Sequence, residues 1–152
     1  MFLFLAFLIG IIAGLRAMTA PAAIAWGAAL GWFDVSQTPL AFIGYRWTPW
    51  VLSLLAVVEL ITDQLPSTPS RKVPMQFAAR LIMGALTGAT IGTTGGSLVG
   101  GLIAGIVGAA FGTFAGAAAR GKLAAAFGKD PPAALIEDAV AIVGALIIAG
   151  AV

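Results

Sequence analysis

The sequence predicts an all-α fold, a polytopic helical membrane bundle of five to six segments with a broken first helix and a glycine-ladder helical hairpin. Of 152 residues, 61% are hydrophobic and only 9% charged, with a mean hydropathy of +1.06. Such a chain lacks the polar surface that a soluble domain needs to cover its core. The apolar residues also fall in long runs, at 2–33, 50–65, 75–93, 97–119 and 132–152. Most of these approach the roughly 20 helical residues needed to cross a hydrocarbon core about 30 Å thick. Connections between them are short, so residues 1–152 read as a single integral membrane domain.

The first run has no Lys or Arg ahead of its apolar stretch, and its first base is Arg16. It therefore reads as a retained membrane segment and not as a signal peptide. At about 1.5 Å per residue it would measure nearly 50 Å, too long for one straight span. Its middle reads RAMTAP, where Pro21 removes a backbone donor and Thr19 is placed to satisfy freed carbonyls. A break is expected near 16–21, giving either a kinked span or two half-helices in a hairpin. The connection that follows holds Tyr45, Arg46 and Trp47 between Trp32 and Trp50, the aromatic belt of a membrane interface. After the second run, Pro66, Pro69 and Pro74 stiffen a loop bearing Arg71 and Lys72. The third and fourth runs are joined only by TTGGS. Arg120, Lys122 and Lys129 precede Pro131 and Pro132, whose fixed φ suits the start of the last helix.

Charge sets the expected orientation. Arg71, Lys72, Arg120, Lys122 and Lys129 gather in two loops and Arg46 stands alone, which makes the basic loops cytoplasmic. Five single crossings would put the N-terminus inside and the C-terminus outside; a first-segment hairpin would move the N-terminus outside. Glycines at 84, 88, 92, 96, 100, 108, 112 and 116 recur every four residues, with Gly101 and Gly105 on a neighbouring line. That spacing predicts stripes where backbones approach closely in the lipid bilayer, within one chain or at the seam of a homo-oligomer. The GAALGWF of residues 27–33 and the GAAFGTF of residues 108–114 hint at an inverted repeat, at a level close to chance in so Gly/Ala-rich a chain. No Gly-x-Gly here is a phosphate loop, because no strand precedes it and no GK[ST] follows.

The chain has no Cys and no His. Disulfides, thiolate metal sites, a cysteine nucleophile and the usual general base are excluded, and neither a metal nor a cofactor is expected. With no basic stripe, nucleic acid is not an expected partner. The chemistry-bearing residues are the charges inside apolar runs. Glu59 and Asp63 lie one turn apart, and Arg80 lies about as deep in the next span, so Glu59 and Arg80 are expected to pair, with Arg71 or Lys72 near Asp63. Glu137 and Asp138 sit similarly in the last run, with Arg120 ending the helix before it. Arg16 stands apart and deeper, beside the break.

Two readings compete for this cluster. Arg16, Thr19, Pro21, Glu59, Asp63, Arg80, Glu137 and Asp138 can line the pathway of a small solute or ion, as at the unwound helices of transporters. They can equally form an ion-pair lattice in a structural or lipid-binding membrane protein. An enzyme is disfavoured: paired carboxylates can do acid/base work, but no DxxD-type set or Ser-Lys arrangement singles out a reaction.

Four ordered blocks, GLRAMTAPA (14–22), ELITDQLPSTPSR (59–71), RLIMGALTGA (80–89) and PAALIEDAVAI (132–142), resemble a bacterial family of small multi-span membrane proteins known as domain of unknown function 4126. The resemblance covers nearly the whole chain. It implies a small helical protein of the bacterial inner (cytoplasmic) membrane and brings with it no established activity.

Overall fold

The computed structural model describes residues 1–152. It is all-helical: α1 (Phe2–Leu15), α2 (Thr19–Ala29), a 3-10 turn (Ala41–Gly44), α3 (Thr48–Thr62), α4 (Pro74–Thr94), α5 (Leu98–Phe127) and α6 (Asp130–Gly150). Local chemistry marks the boundaries. Prolines occupy the first positions of α3, α4 and α6, where a missing N–H costs nothing. Gly128, with φ +71°, terminates α5 in the left-handed region that a side chain disfavours. Before the 3-10 turn, the Asp34 carboxylate accepts the Ser36 N–H at 2.8 Å, which holds its pKa below the usual carboxylate range.

The first run is two helices, not one kinked span. α1 ends at Leu15, Arg16 is extended (φ −140°, ψ 111°), and α2 starts at Thr19. Pro21 falls in the first turn of α2, where N–H groups lack helical acceptors anyway, so it does not itself break the helix. The two halves form a hairpin. Gly95, at the α4–α5 turn, lies against Phe2, and Trp32, just past α2, lies near Gly150. Both ends of the hairpin, and the end of α6, are therefore at the end of the bundle opposite the basic residues; of these, Arg120 and Lys122 lie not in a loop after residue 119 but in the last turns of α5, which continues to Phe127. This replaces the arrangement in which the two termini lie at opposite ends.

α1, α4 and α5 pack most closely; α6 lies on α5, α2 and α1, and α3 lies outermost on α2 and the 3-10 turn. Glycine is what allows the inner trio to close. A Cβ on Gly88 would stand 2.7 Å from the Gly105 Cα, one on Gly92 2.7 Å from the Gly101 Cα, and one on Gly84 2.6 Å from the Ala109 Cβ. α4 thus meets Gly101 and Gly105, while Gly108 and Gly112 face Phe7 and Ile11 of α1. Two members of the glycine series lie off these seams. Gly96, with φ +75° and open space around it, forms the α4–α5 turn, and Gly100 faces Ser97 and Leu3. All these close approaches are made within one chain, so they supply no argument for a homo-oligomer. The resemblance between residues 27–33 and 108–114 has no structural counterpart either: the first stretch ends a helix and turns, and the second is mid-helix.

The core mixes small residues and isoleucines such as Ile9, Ile24 and Ile91 with buried polar and charged groups, while many large apolar side chains face outward. Arg16, Arg80, Thr87, Thr90 and Thr113 are buried, while Trp50, Leu54 and Ile61 of α3, Ile103 and Phe111 of α5, and Leu135 and Ile147 of α6 are exposed. α5 and α6 are long and apolar enough to cross a membrane; α1 and α3 are apolar but shorter.

Candidate functional site

Where the first run breaks, α1 leaves carbonyls unpaired and α2 leaves N–H groups unpaired. Opposite charges from two other helices meet them. Arg80 of α4 donates through Nη1 to the carbonyls of Gly14 (2.9 Å) and Leu15 (2.7 Å). Glu59 of α3 accepts the N–H groups of Ala17 and Met18, each at 2.8 Å, one on each carboxylate oxygen. A cation at a helix C-terminus and an anion at a helix N-terminus each match the local backbone dipole. The expected Glu59–Arg80 pair accordingly exists only as a looser approach, 4.0 Å between Arg80 Nη2 and Glu59 Oε1. Each side chain is held instead by backbone.

Thr19 does not serve the freed carbonyls. Its buried hydroxyl has no hydrogen-bond partner, and Thr113 reaches the Gly14 carbonyl at 3.3 Å. Pro21 is buried in α2 and carries no polar role.

Arg16, the outlier of the sequence, is the centre of the cluster. It is completely buried, and its guanidinium is ringed by carboxylates. Nε donates to Asp138 Oδ1 at 2.6 Å and Nη1 to Asp63 Oδ2, while Nη2 lies 3.6 Å from Glu137 Oε2. Asp63 is therefore paired by Arg16 and not by Arg71 or Lys72. Arg71 instead grips Glu137 through both terminal nitrogens, at 2.5 and 2.8 Å. Gly116 makes room for that pair, since a Cβ there would stand 3.1 Å from Arg71 Nη1 and 3.2 Å from Glu137 Oε1. Arg120 takes Asp130 in the same two-pronged way, at 2.9 and 2.6 Å, and reaches Glu137 Oε2 at 3.4 Å.

Two members were missed in the sequence. Gln64 donates to Asp138 Oδ2 at 3.0 Å, and Asp130 completes the Arg120 pair. Gln64 directly follows Asp63 at a helix end, and Asp130 stands just before the two prolines; proximity to known charges was the available signal.

Above the hairpin tip, on the side of the basic loops, opens a cavity of about 380 Å³. Asp63, Arg71, Arg80, Arg120 and Asp130 line it together with Ser70, Ala117 and Gly121. A separate, apolar groove of about 210 Å³ runs between α2, α3 and α6, with Thr19 and Ser53 in its wall. Compared with family models, curated proteins and solved structures, the chain matches none.

Proposed function

We propose that the chain is a polytopic membrane protein of six helical segments that moves a small solute or ion through the cavity above the α1–α2 tip. The observation that carries this reading is the cavity itself, a polar space of about 380 Å³ that borders the Arg80 cap of the helix break. Non-helical backbone at membrane depth is tolerated where it is enclosed by protein, and transporters use such broken helices to build binding sites. The exposed apolar faces of α3, α5 and α6 support the membrane setting. Seven of the eight bases, all but Arg46, lie at the cavity end, which argues that this end faces the cytoplasm.

The chain has no cysteine, so single cysteines report cleanly. One replacing Ser70 in the cavity wall should be shielded from an impermeant thiol reagent added outside intact cells, and one replacing Gln37 should react. In proteoliposomes, osmotic re-swelling followed by light scattering across a panel of small solutes should reveal a permeant species. A bulky thiol reagent on the Ser70→Cys variant should stop that flux, and reductant should restore it. Flux for no solute, or flux indifferent to the label, would favour the second reading.

That second reading is a structural or lipid-binding membrane protein, favoured by one specific observation. Every carboxylate of the cluster accepts at least one hydrogen bond.

A further inference from the structure

α3 is tied to the rest of the bundle at two levels, and between them it stands away from α6. At the hairpin tip, Gln64, just past α3, donates to Asp138 Oδ2 at 3.0 Å, and Arg16 bridges Asp63 and Asp138. Toward the other end, Trp26 of α2 donates through Nε1 to Ser53 Oγ at 2.9 Å, and its ring meets that of Trp50 edge to face with centroids 5.0 Å apart. Between these ties α3 packs on α2 and not closely on α6. The space left is the apolar groove of about 210 Å³, with Ala22 and Ala23 as its floor, Val57 and Leu60 as one wall, and Ile142 and Leu146 as the other.

The lining decides what can fill it. Water needs two to four polar partners to settle in such a space. Only Ser53 offers one, and its oxygen already takes the Trp26 N–H; the Thr19 hydroxyl, though its residue is in the wall, is buried out of reach. Left empty, the walls forfeit dispersion contacts on one side. An apolar occupant meets both conditions, and shape narrows it further. From Thr19 to Trp26 on α2, and from Ser53 to Leu60 on α3, the lining extends over about 10 Å of helix rise. A volume of about 210 Å³ over that length leaves a section of about 20 Å², far narrower than a helix about 10 Å across and comparable to one extended hydrocarbon chain. The side chains of a neighbouring helix would enter as separate knobs one turn, about 5.4 Å, apart. The groove instead runs on alongside the helices, the direction in which acyl chains lie in a bilayer.

We propose that this groove holds one acyl chain of a bilayer lipid, seated between α3 and α6. The site rests on the proposed membrane setting and is independent of any flux through the polar cavity.

Trp26, in the groove wall, is itself the reporter. With Trp32, Trp47 and Trp50 replaced by Phe, the full-length chain is reconstituted in bilayers of phosphatidylcholine with brominated acyl chains, because bromine quenches indole emission on contact. Most of the Trp26 emission should be lost relative to unbrominated bilayers. A side chain that fills the groove should protect it: Ala56→Phe, from a lining position only 8% exposed, should restore at least half of the lost emission. In the companion protein that keeps Trp50 alone, exposed to bulk lipid, the same substitution should change nothing. Where a lowered melting temperature shows that Ala56→Phe disturbs the packing of α3 on α2, Val57→Phe, from a half-exposed lining position, should protect Trp26 in the same way.

Trp26 unquenched in brominated bilayers, or quenched alike with and without both filling substitutions, overturns the site. Protection that grows with the ratio of protein to lipid gives the groove to a second copy of the chain and equally overturns it. Recovery of the chain in the soluble fraction after an alkaline wash of membranes retires the membrane setting and the site with it. Firm retention in the membrane with an unquenched Trp26 retires the site alone.

Discussion

The two halves of the α1, α4 and α5 trio are closed by opposite means. Toward the α4–α5 turn, glycines bring backbones together until a single methyl would not fit between Gly88 and Gly105 or between Gly92 and Gly101. Toward the other end, four guanidiniums, from the α1–α2 break, the loop before α4, α4 and α5, meet five carboxylates of α3, its C-cap and α6. The first half has no space to give. The second encloses a cavity of about 380 Å³. Small residues make a dry wall because dispersion needs contact, whereas charged side chains reach their partners across several ångströms and leave room between them. The polar cavity opens at the end of the bundle away from the seam of Gly84, Gly88 and Gly92 with Gly101 and Gly105.

Breaking the ionic half should have the largest effect. Arg16→Leu leaves the buried Asp138 and the partly buried Asp63 without their cation, and uncompensating a buried pair costs about 3–5 kcal/mol. Little folded, monodisperse protein is expected in detergent; a melting temperature close to wild type would mean that the cluster does not hold the hairpin tip. Breaking the glycine half comes next. Gly105→Leu drives a side chain into the backbone of α4, where overpacking costs about 1–3 kcal/mol, and the upper part of that range is expected because backbone cannot change rotamer. An unchanged thermal melt would refute the close seam.

A third measurement sharpens the comparison within the ionic half. Glu59→Leu and Arg80→Leu each orphan backbone groups at the break, at about 1–3 kcal/mol apiece. Since each side chain serves backbone rather than the other, the double variant should melt below both singles, with a coupling smaller than either loss. Recovery of stability in the double variant would instead make them true partners. The smallest effect is expected at the cavity wall. Gly121→Ala meets no atom and sits mid-helix, so it should stabilise by up to about 1 kcal/mol, visible as a small rise in melting temperature; a loss would show the cavity to be more crowded than its lining implies.

Much of this was legible in the sequence, and the failures share a cause. The break at RAMTAP, the glycine stripes and the identity of the charged residues follow from length, spacing and the cost of burying charge, all of them local quantities. Partnership is not local. Depth along consecutive spans suggested Glu59 with Arg80, but the hairpin brings unpaired backbone to the same depth, and backbone dipoles compete for both side chains. Arg16 looked isolated because its partners lie 47 and 122 positions away and meet only once α1 turns back on itself. Thr19 was misjudged for the same reason: side chains of two distant helices, Arg80 and Thr113, serve the carbonyls at the end of α1, and the Thr19 hydroxyl stays without a partner.

The position of Arg16 also constrains the order in which the chain is assembled. Asp63 emerges during synthesis well after Arg16, and Asp138, in α6, later still. Until both arrive, the hairpin tip would carry an unpaired cation into hydrocarbon, at a cost of several kcal/mol. If the bundle spans a membrane as proposed, the first two helices have reason to wait at its surface, in contact with headgroups and water, while α3 to α6 are made. In the proposed membrane setting, completion of the hairpin formed by α1 and α2 becomes a late event, gated by the arrival of α6, and a chain truncated before Asp138 would stall with that hairpin unfinished.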